Sequence, residues 1–481
     1  MSYEHTPYTD YKDSNETWLG RVPAHWDIVP LARIGRFFKG NGGSKIDEVT
    51  DGVPCIRYGD LYTQKETFIS ASRSFVTPER SADYTPVQSG DILFAGSGET
   101  LDEIGKSAVC LIVGDACCGG DVLILRPSSE MNPRFLGYAL ESPQAIHQKA
   151  CMGRGVTIMH IYISSLKYLR LAIPPEGEQA SIVRYLDYME RRIRRYSRSK
   201  LQLISLLREE KQMIIQSAVT RGINSNADLK ASGVAWLGDL PSHWDIVRLG
   251  TVLRERGETN DELRVTEVLS VLRERGVIPY AEKGNVGNKK SDDITRYKIV
   301  RPNDIVVNSM NVIIGSVGLS QYEGCLSPVY YVLTRRNEYD DPRYLNAYFQ
   351  TKLFQRSLVR IGYGILPHRM RIPMSLLKCE PFPRPPASEQ RDIVRYIDGA
   401  TARVEAAIEH AQRQVSMIKE YRSRLIADVV TGKLDVREIA AKLPEENIPE
   451  EVFLEGEELF AEDVPEEDDS GLEASLEELD A

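Results

Sequence analysis

The longest regular pattern of apolar positions in this chain starts at Pro175. Beyond Gly177 neither Pro nor Gly interrupts it until Gly222. Steps of four and three residues connect Ile182, Leu186, Met189, Ile193, Tyr196, Lys200, Leu203, Leu207, Glu210 and Ile214. That alternation is the seam of a coiled-coil helix. The same steps, 211 residues further on, connect Ile393, Ile397, Ala400, Val404, Ala407, Ala411, Gln414, Ile418, Tyr421 and Leu425. Two long helices are therefore predicted, at 175–221 and 385–433. At ~1.5 Å per residue each is ~65 Å long, which exceeds an ordinary domain helix. Their polar exceptions do not coincide: Lys200 answers Ala411, Leu203 answers Gln414 and Glu210 answers Tyr421. Two unlike helices packed on each other would suit this. Packing of each on its own domain is the alternative.

Ahead of each helix the pattern changes to short apolar runs bounded by Gly, Asp and Pro, which read as strands. In the first region these are VPCIRYGDLY from Val53, GDILFAG from Gly90, KSAVCLIV from Lys106 and DVLILRP from Asp121. PRFLGYALESPQAIHQKAC reads as one helix, capped by Asn132 with Pro133 at its first position. The second region offers LRVTEVLSVL, NDIVVNSM and SPVYYVLTRR, then a helix from Pro342 to about Arg360.

The spelling repeats as well as the pattern. WLGRVPAHWDIV at Trp18 returns as WLGDLPSHWDIV at Trp236, with nine of twelve positions identical. PPEGEQASIVRYLD at Pro174 returns as PPASEQRDIVRYID at Pro385. NPRFLGYAL answers DPRYLNAYF, and GDILF resembles NDIVV, all in the same order. Between these landmarks the halves differ strongly. The expected organisation is an N-terminal segment 1–16, a mixed domain 17–174, the first helix 175–221, a second mixed domain 222–384, the second helix 385–433 and a tail 434–481. The fold class is α+β: two pseudo-symmetric mixed α/β domains joined by two long helices pairing as an antiparallel coiled coil.

Charge changes the picture at one end. Residues 444–481 hold 17 Asp and Glu and no Lys or Arg, so the tail is expected to be disordered. Without it, 60 basic residues face 53 acidic ones, a balance of +7 that fits a nucleic-acid partner. No apolar run approaches the ~20 residues that span a membrane. No signal peptide is visible, so a cytoplasmic location is expected. The seven cysteines show no C-x-x-C spacing and read as reduced, structural thiols.

Catalytic motifs are missing. GETLDEIGKS ends like a phosphate loop, but Gly98 is misplaced by two residues, and a turn between strands is the better reading. There is no G-x-G-x-x-G after a strand, no N-P-P-F or D-P-P-Y, no H-E-x-x-H and no G-x-S-x-G. His25-Trp26 and His243-Trp244 read as packing plugs whose imidazoles bond to backbone. Glu209 and Lys211 read as a solvated face.

A W-L-G-x-x-P-x-H-W-D-I-V phrase opens each half, and P-P-x-x-E-Q-x-x-I-V-x-Y begins each long helix. This resembles the specificity subunit of type I restriction–modification systems over roughly residues 12–435. The resemblance implies two target recognition domains, each reading one half of a bipartite asymmetric site on double-stranded DNA, with the helices setting the spacer. It implies two methyltransferase subunits and restriction subunits as partners. Those partners would supply the S-adenosylmethionine, ATP and Mg chemistry, and this chain, which is not itself an enzyme, would hold no cofactor. A divergent methyltransferase or nuclease, or a coiled-coil scaffold that binds no DNA, is the rival reading.

Base contacts are expected from polar loops beside the strands. In the first domain these are Arg57, Lys106, Arg154, Thr157 and His160; GRGVTIMH is such a loop. In the second they are Lys289, Lys290, Arg296, Asn308, Asn311, Tyr363, His368 and Arg369, in NKKSDDITR, NSMN and GYGILPHR.

Overall fold

The computed structural model describes residues 6–444 apart from 44, 64–66, 99, 101–102, 156–157, 274, 285–288 and 367–368. The acidic tail beyond Pro444 lies outside the described residues. Two compact units emerge. One takes the chain up to Leu201 and again from Gln412; the other takes Gln202–Ala411. Both boundaries fall inside the long helices, which run Glu176–Arg221 and Ala387–Val430. No described helix is long and apolar enough to cross a membrane.

The first unit is built on a five-stranded sheet in the order Gly35–Lys39, Val122–Pro127, Ile92–Ala95, Ser107–Cys110, Phe68–Ile69. Its central run ILFA is apolar at every position because both faces are covered. Ile92 and Phe94 join a core with the helix Pro133–Glu141 and the first long helix. Leu93 and Ala95 join a second core with Ile56 and Cys118 of another five-stranded sheet. In the second unit the sheet order is Leu253–Glu255, Tyr330–Arg335, Ile305–Asn308, Val317–Leu319. Ile305 and Val307 face the helical core, while Val306 and Val332 face the hairpin Leu269–Leu272/Gly276–Pro279.

The repeated phrases acquire physical reasons here. Asp27–Pro30 pairs antiparallel with Arg170–Ile173, and Asp245–Arg248 pairs in the same way with Pro381–Arg384. Each W-D-I-V thus clamps the entrance of a long helix. The glutamine of each E-Q ties that helix to its domain. Gln179 Oε1 accepts from Asn132 N at 2.9 Å and Gln390 Oε1 accepts from Asp341 N at 2.8 Å. The glutamates face the histidines: His25 Nε2 lies 2.8 Å from Glu178, and His243 Nε2 lies 2.7 Å from Glu389. These imidazoles therefore bond to carboxylates rather than to backbone. A carboxylate one turn into a helix can hold the plug and complement the positive helix end together. The G-D and N-D turns are explained by Asp91 and Asp304, each bonded twice to a guanidinium, Arg126 and Arg256 respectively, at 2.8–2.9 Å.

The two plugs are not equal. Buried Glu178 also accepts from Trp26 Nε1 and from the Tyr8 hydroxyl, whose pKa is pushed up by burial and then by that carboxylate. In the second copy Trp244 Nε1 is buried with no partner among the described residues. Glu178→Ala should therefore cost about 3–5 kcal/mol and Glu389→Ala only about 1 kcal/mol. Urea midpoints of the two variants check this; equal shifts would refute it.

Several expectations change. VPCIRYGDLY is a strand only over Val53–Ile56, after which Tyr58–Thr63 is helical. LRVTEVLSVL is a strand only over Leu269–Leu272. The helix after Asn132 is two helices, Pro133–Glu141 and Pro143–Met152, because Pro143 cannot continue the first and Ser142 caps the second. The other copy breaks likewise into Pro342–Phe349 and Lys352–Leu358.

The seam is also displaced. Beyond Ile193, buried Ser197, Ile204 and Ile215 stand one residue after the predicted Tyr196, Leu203 and Ile214. On the second helix Thr401 and Val415 replace Ala400 and Gln414. Tyr196 and Tyr421 are nearly half exposed. At Tyr196 a reading weighted by apolarity picks the bulkier neighbour of the buried Ser197; elsewhere the slip is the drift of a 3.6-residue turn away from a strict 3.5-residue repeat. In the first unit Arg422 faces Glu190 at 2.8 Å. In the second Lys211 faces Glu405 at 2.7 Å, so Lys211 is more than a solvated charge. Within the first unit Arg184 also donates to Leu443 O at 2.6 Å, so the lower number on one side meets the higher on the other and the chains there run antiparallel.

Candidate nucleic-acid interface

In the first unit the strand Ile92–Ala95 continues into Ser97–Gly98, which pairs antiparallel with Met159–His160. Ser97 stands opposite His160, and Ser97 Oγ lies 2.9 Å from His160 Nδ1. On its other side His160 exchanges backbone hydrogen bonds with Arg154 at 2.8 and 2.9 Å. Ile161 N donates to Gly96 O at 2.9 Å and anchors the ribbon to the sheet. The Tyr62 hydroxyl donates to Ser97 O, and Lys106 Nζ donates to Tyr62 O at 3.3 Å. A Cβ at Gly98 would come within 2.7 Å of the Tyr62 hydroxyl oxygen, so a larger residue there would displace the Tyr62 side chain.

Three of the five residues expected in this domain, Lys106, Arg154 and His160, thus gather around Tyr62 and Ser97. Arg154 and His160 are exposed, whereas Arg57 pairs with Glu48 at 3.1 Å and is largely covered. Thr157 lies outside the described residues. Gly105 and Lys106 close a turn into the strand Ser107–Cys110 rather than opening a helix, which removes the geometry a phosphate loop needs. Beneath that turn Lys149 is buried, its Nζ donating to Leu140 O and Ser107 Oγ at 3.2 and 3.4 Å. Burial holds its pKa down to about 8, against the opposing pull of the Glu141 charge.

The second unit places a hairpin, Tyr363–Leu366 with Arg369–Arg371, at the matching point of its frame. Ile372 N donates to Ser309 O at 2.9 Å, the counterpart of Ile161 on Gly96. Tyr363 stands opposite Arg371, and both are exposed. Asn308 is buried at a strand end, where it accepts from Met310 N. Asn311 Oδ1 is buried without a partner among the described residues. Lys289, Lys290 and Arg296 belong to a different loop, tied by Lys290 N to the Tyr280 hydroxyl at 3.1 Å; all three are exposed. His368 and the side chain of Arg369 lie outside the described residues.

Ser97 and Arg371 escaped the sequence reading. Ser97 has no charge to draw notice, and Arg371 stands two residues past the polar loop GYGILPHR. Only their pairing with His160 and Tyr363 brings them to the surface row. The cysteines are all free thiols, and burial raises the Cys118 thiol to about 12 and the Cys325 thiol to about 11. No group of His, Cys, Asp and Glu among the described residues could hold a metal ion.

Comparison with known proteins agrees with this architecture. Residues 25–203 match the family of type I restriction modification DNA specificity domains. The type I restriction enzyme EcoKI specificity subunit of Escherichia coli K12 is 20% identical, over 86% of this chain and 90% of its own length. The type I restriction enzyme MjaIX specificity subunit of Methanocaldococcus jannaschii is 23% identical, over 90% of this chain and 98% of its own. A chain from a solved type I R-M system shares the fold with a TM-score of 0.60 at 18% identity, over 86% of this chain and 99% of that one. Residues 25–203 thus match a type I restriction modification DNA specificity domain, and nearly the whole body is similar to type I restriction enzyme specificity subunits.

Proposed function

We propose that the chain is the DNA sequence-recognition subunit of a type I restriction–modification complex, with each domain reading one half of a bipartite target. The observation that carries this is one frame, built twice, presenting different side chains at matching hairpins: Arg154 and His160 in one unit, Tyr363 and Arg371 in the other. A palindromic target would call for like side chains there; an asymmetric one calls for unlike ones. Among the other expected residues, Lys106, Lys289, Lys290 and Arg296 suit phosphate contact, which positions a protein without reading sequence. Arg57, Asn308 and Asn311 support the loops that read. Two methyltransferase subunits and restriction subunits would dock on the repeated frame, inside the cell. The chemistry of S-adenosylmethionine, ATP and Mg would be theirs.

Mapping of methylated adenines in cells with and without the chain tests this. The expected result is one split, asymmetric motif, modified only when the chain is present. A contiguous or palindromic motif, or modification that persists without the chain, would contradict it. Binding of S-adenosylmethionine by the isolated chain would favour the methyltransferase reading instead.

A further inference from the structure

Arg154, His160 and Ser97 stand side by side on three adjacent backbone segments of the first unit. His160 is paired with Ser97 on one side and with Arg154 on the other. Residues directly opposite one another in a ladder carry their side chains on the same face, Cβ atoms ~4.5–5.5 Å apart. The three side chains therefore form a row about 10 Å long. Alternation along the strand brings Ile158 and Tyr162 to the same face, and both are more than half exposed. The His160 and Tyr162 ring centroids are 6.5 Å apart. Met159, the alternate residue, packs inward against the main core. The row thus looks outward while the core is served from behind.

We propose that this row is the base-reading element of the first domain, with Ser97 as its positioning residue; the inference rests on the DNA-recognition function proposed above. The ligand class is the acceptor-rich major-groove edge of a purine, guanine before adenine. A guanidinium meets guanine O6 and N7 with two parallel hydrogen bonds, and a two-stranded ribbon fits a groove ~12 Å wide. Ser97 occupies His160 Nδ1, which leaves Nε2 as the ring's polar atom for the neighbouring base pair. Ile158 and Tyr162 offer apolar contact of the kind a thymine methyl accepts. The row carries a single permanent charge, that of Arg154, so its chemistry favours base edges over phosphates.

The second unit has its own version. Tyr363 is 66% exposed and stands opposite Arg371, on a hairpin anchored through Ile372 as the first is anchored through Ile161. Arg371 is thereby assigned to the other half-site, beside an aromatic partner instead of an imidazole.

The test uses the whole complex, assembled in cells that carry no other such modification, with the methylated motif read by sequencing. Arg154→Ala should relax one base pair of one half-site roughly ten- to a hundredfold and leave the other half-site unchanged. Arg154→Lys, which keeps the charge and loses the fork, should relax the same pair. His160→Ala should relax an adjacent pair. Ser97→Ala should relax that same adjacent pair more weakly, and Ser97→Thr should restore it. Arg371→Ala should act on the opposite half-site. An unchanged motif in active Arg154 and His160 variants would overturn the proposal. So would a uniform loss over both half-sites with a shallower salt dependence, the signature of phosphate contacts. A wild-type complex that modifies no split motif would instead overturn the recognition function itself.

Discussion

Arg422→Met should destabilise the first unit by about 3–5 kcal/mol, whereas the matching Lys211→Met in the second should cost less than about 1 kcal/mol. Arg422 sits in the seam of the helix pair with a side chain only 19% exposed. Its guanidinium reaches Glu190 at 2.8 Å and Glu141 at 2.6 Å, and Glu190 also pairs with Arg194 at 2.9 Å. Removing it leaves two carboxylates of like charge in a covered site. Lys211 lies near the surface opposite the half-exposed Glu405, where water screens the loss.

The pH dependence has a definite sign. Burial pushes the Glu141 carboxyl up, but Arg422, joined by Thr67 and Arg194, outweighs it and holds the group below the ordinary carboxylate range. A depressed carboxylate stabilises the folded state above its unfolded pKa, and that stability is lost as pH falls through the folded value. The penalty of Arg422→Met should therefore be largest near pH 7 and shrink below about pH 5, where protonation relieves the orphaned carboxylates. Urea unfolding at the two pH values measures it. A penalty under about 1 kcal/mol at pH 7 would show that the cluster is not what holds the seam.

That cluster also marks where sequence reasoning stops. The two long helices were legible because their heptad steps continue for 33 residues each, with Gly399 the one Gly or Pro beyond their first turns. Which residue of each step is buried was not. Tyr421 outranks Arg422 on apolarity, yet Arg422 is inside because Glu141, from a helix remote in sequence, meets it there. Pairings across hundreds of residues leave no local signal. The repeated E-Q dipeptide was visible as spelling, but its purpose, one side chain for the His-Trp plug and one for the domain helix, needed coordinates. The reading loops were partly legible: GRGVTIMH stood out as polar and glycine-rich between regular elements, and Arg154 and His160 do meet there. Ser97 was hidden because it follows the apolar run ILFA, and Arg371 because it stands just beyond the polar loop GYGILPHR.

The central claim is that each domain reads its own half of the target. It is tested by exchanging residues 35–162 for the matching region of a relative. The cuts leave the paired strands Asp27–Pro30 and Arg170–Ile173 and both long helices in place. The donor should keep Asn132, Arg134 and Glu141, which tie the domain to Gln179, Asp187 and Arg422. The methylated motif of the hybrid complex is then sequenced. The account predicts that one half-site changes to the donor's while the other half-site and the spacer stay as they were. A change in both half-sites, or in neither while the hybrid remains active, would contradict it.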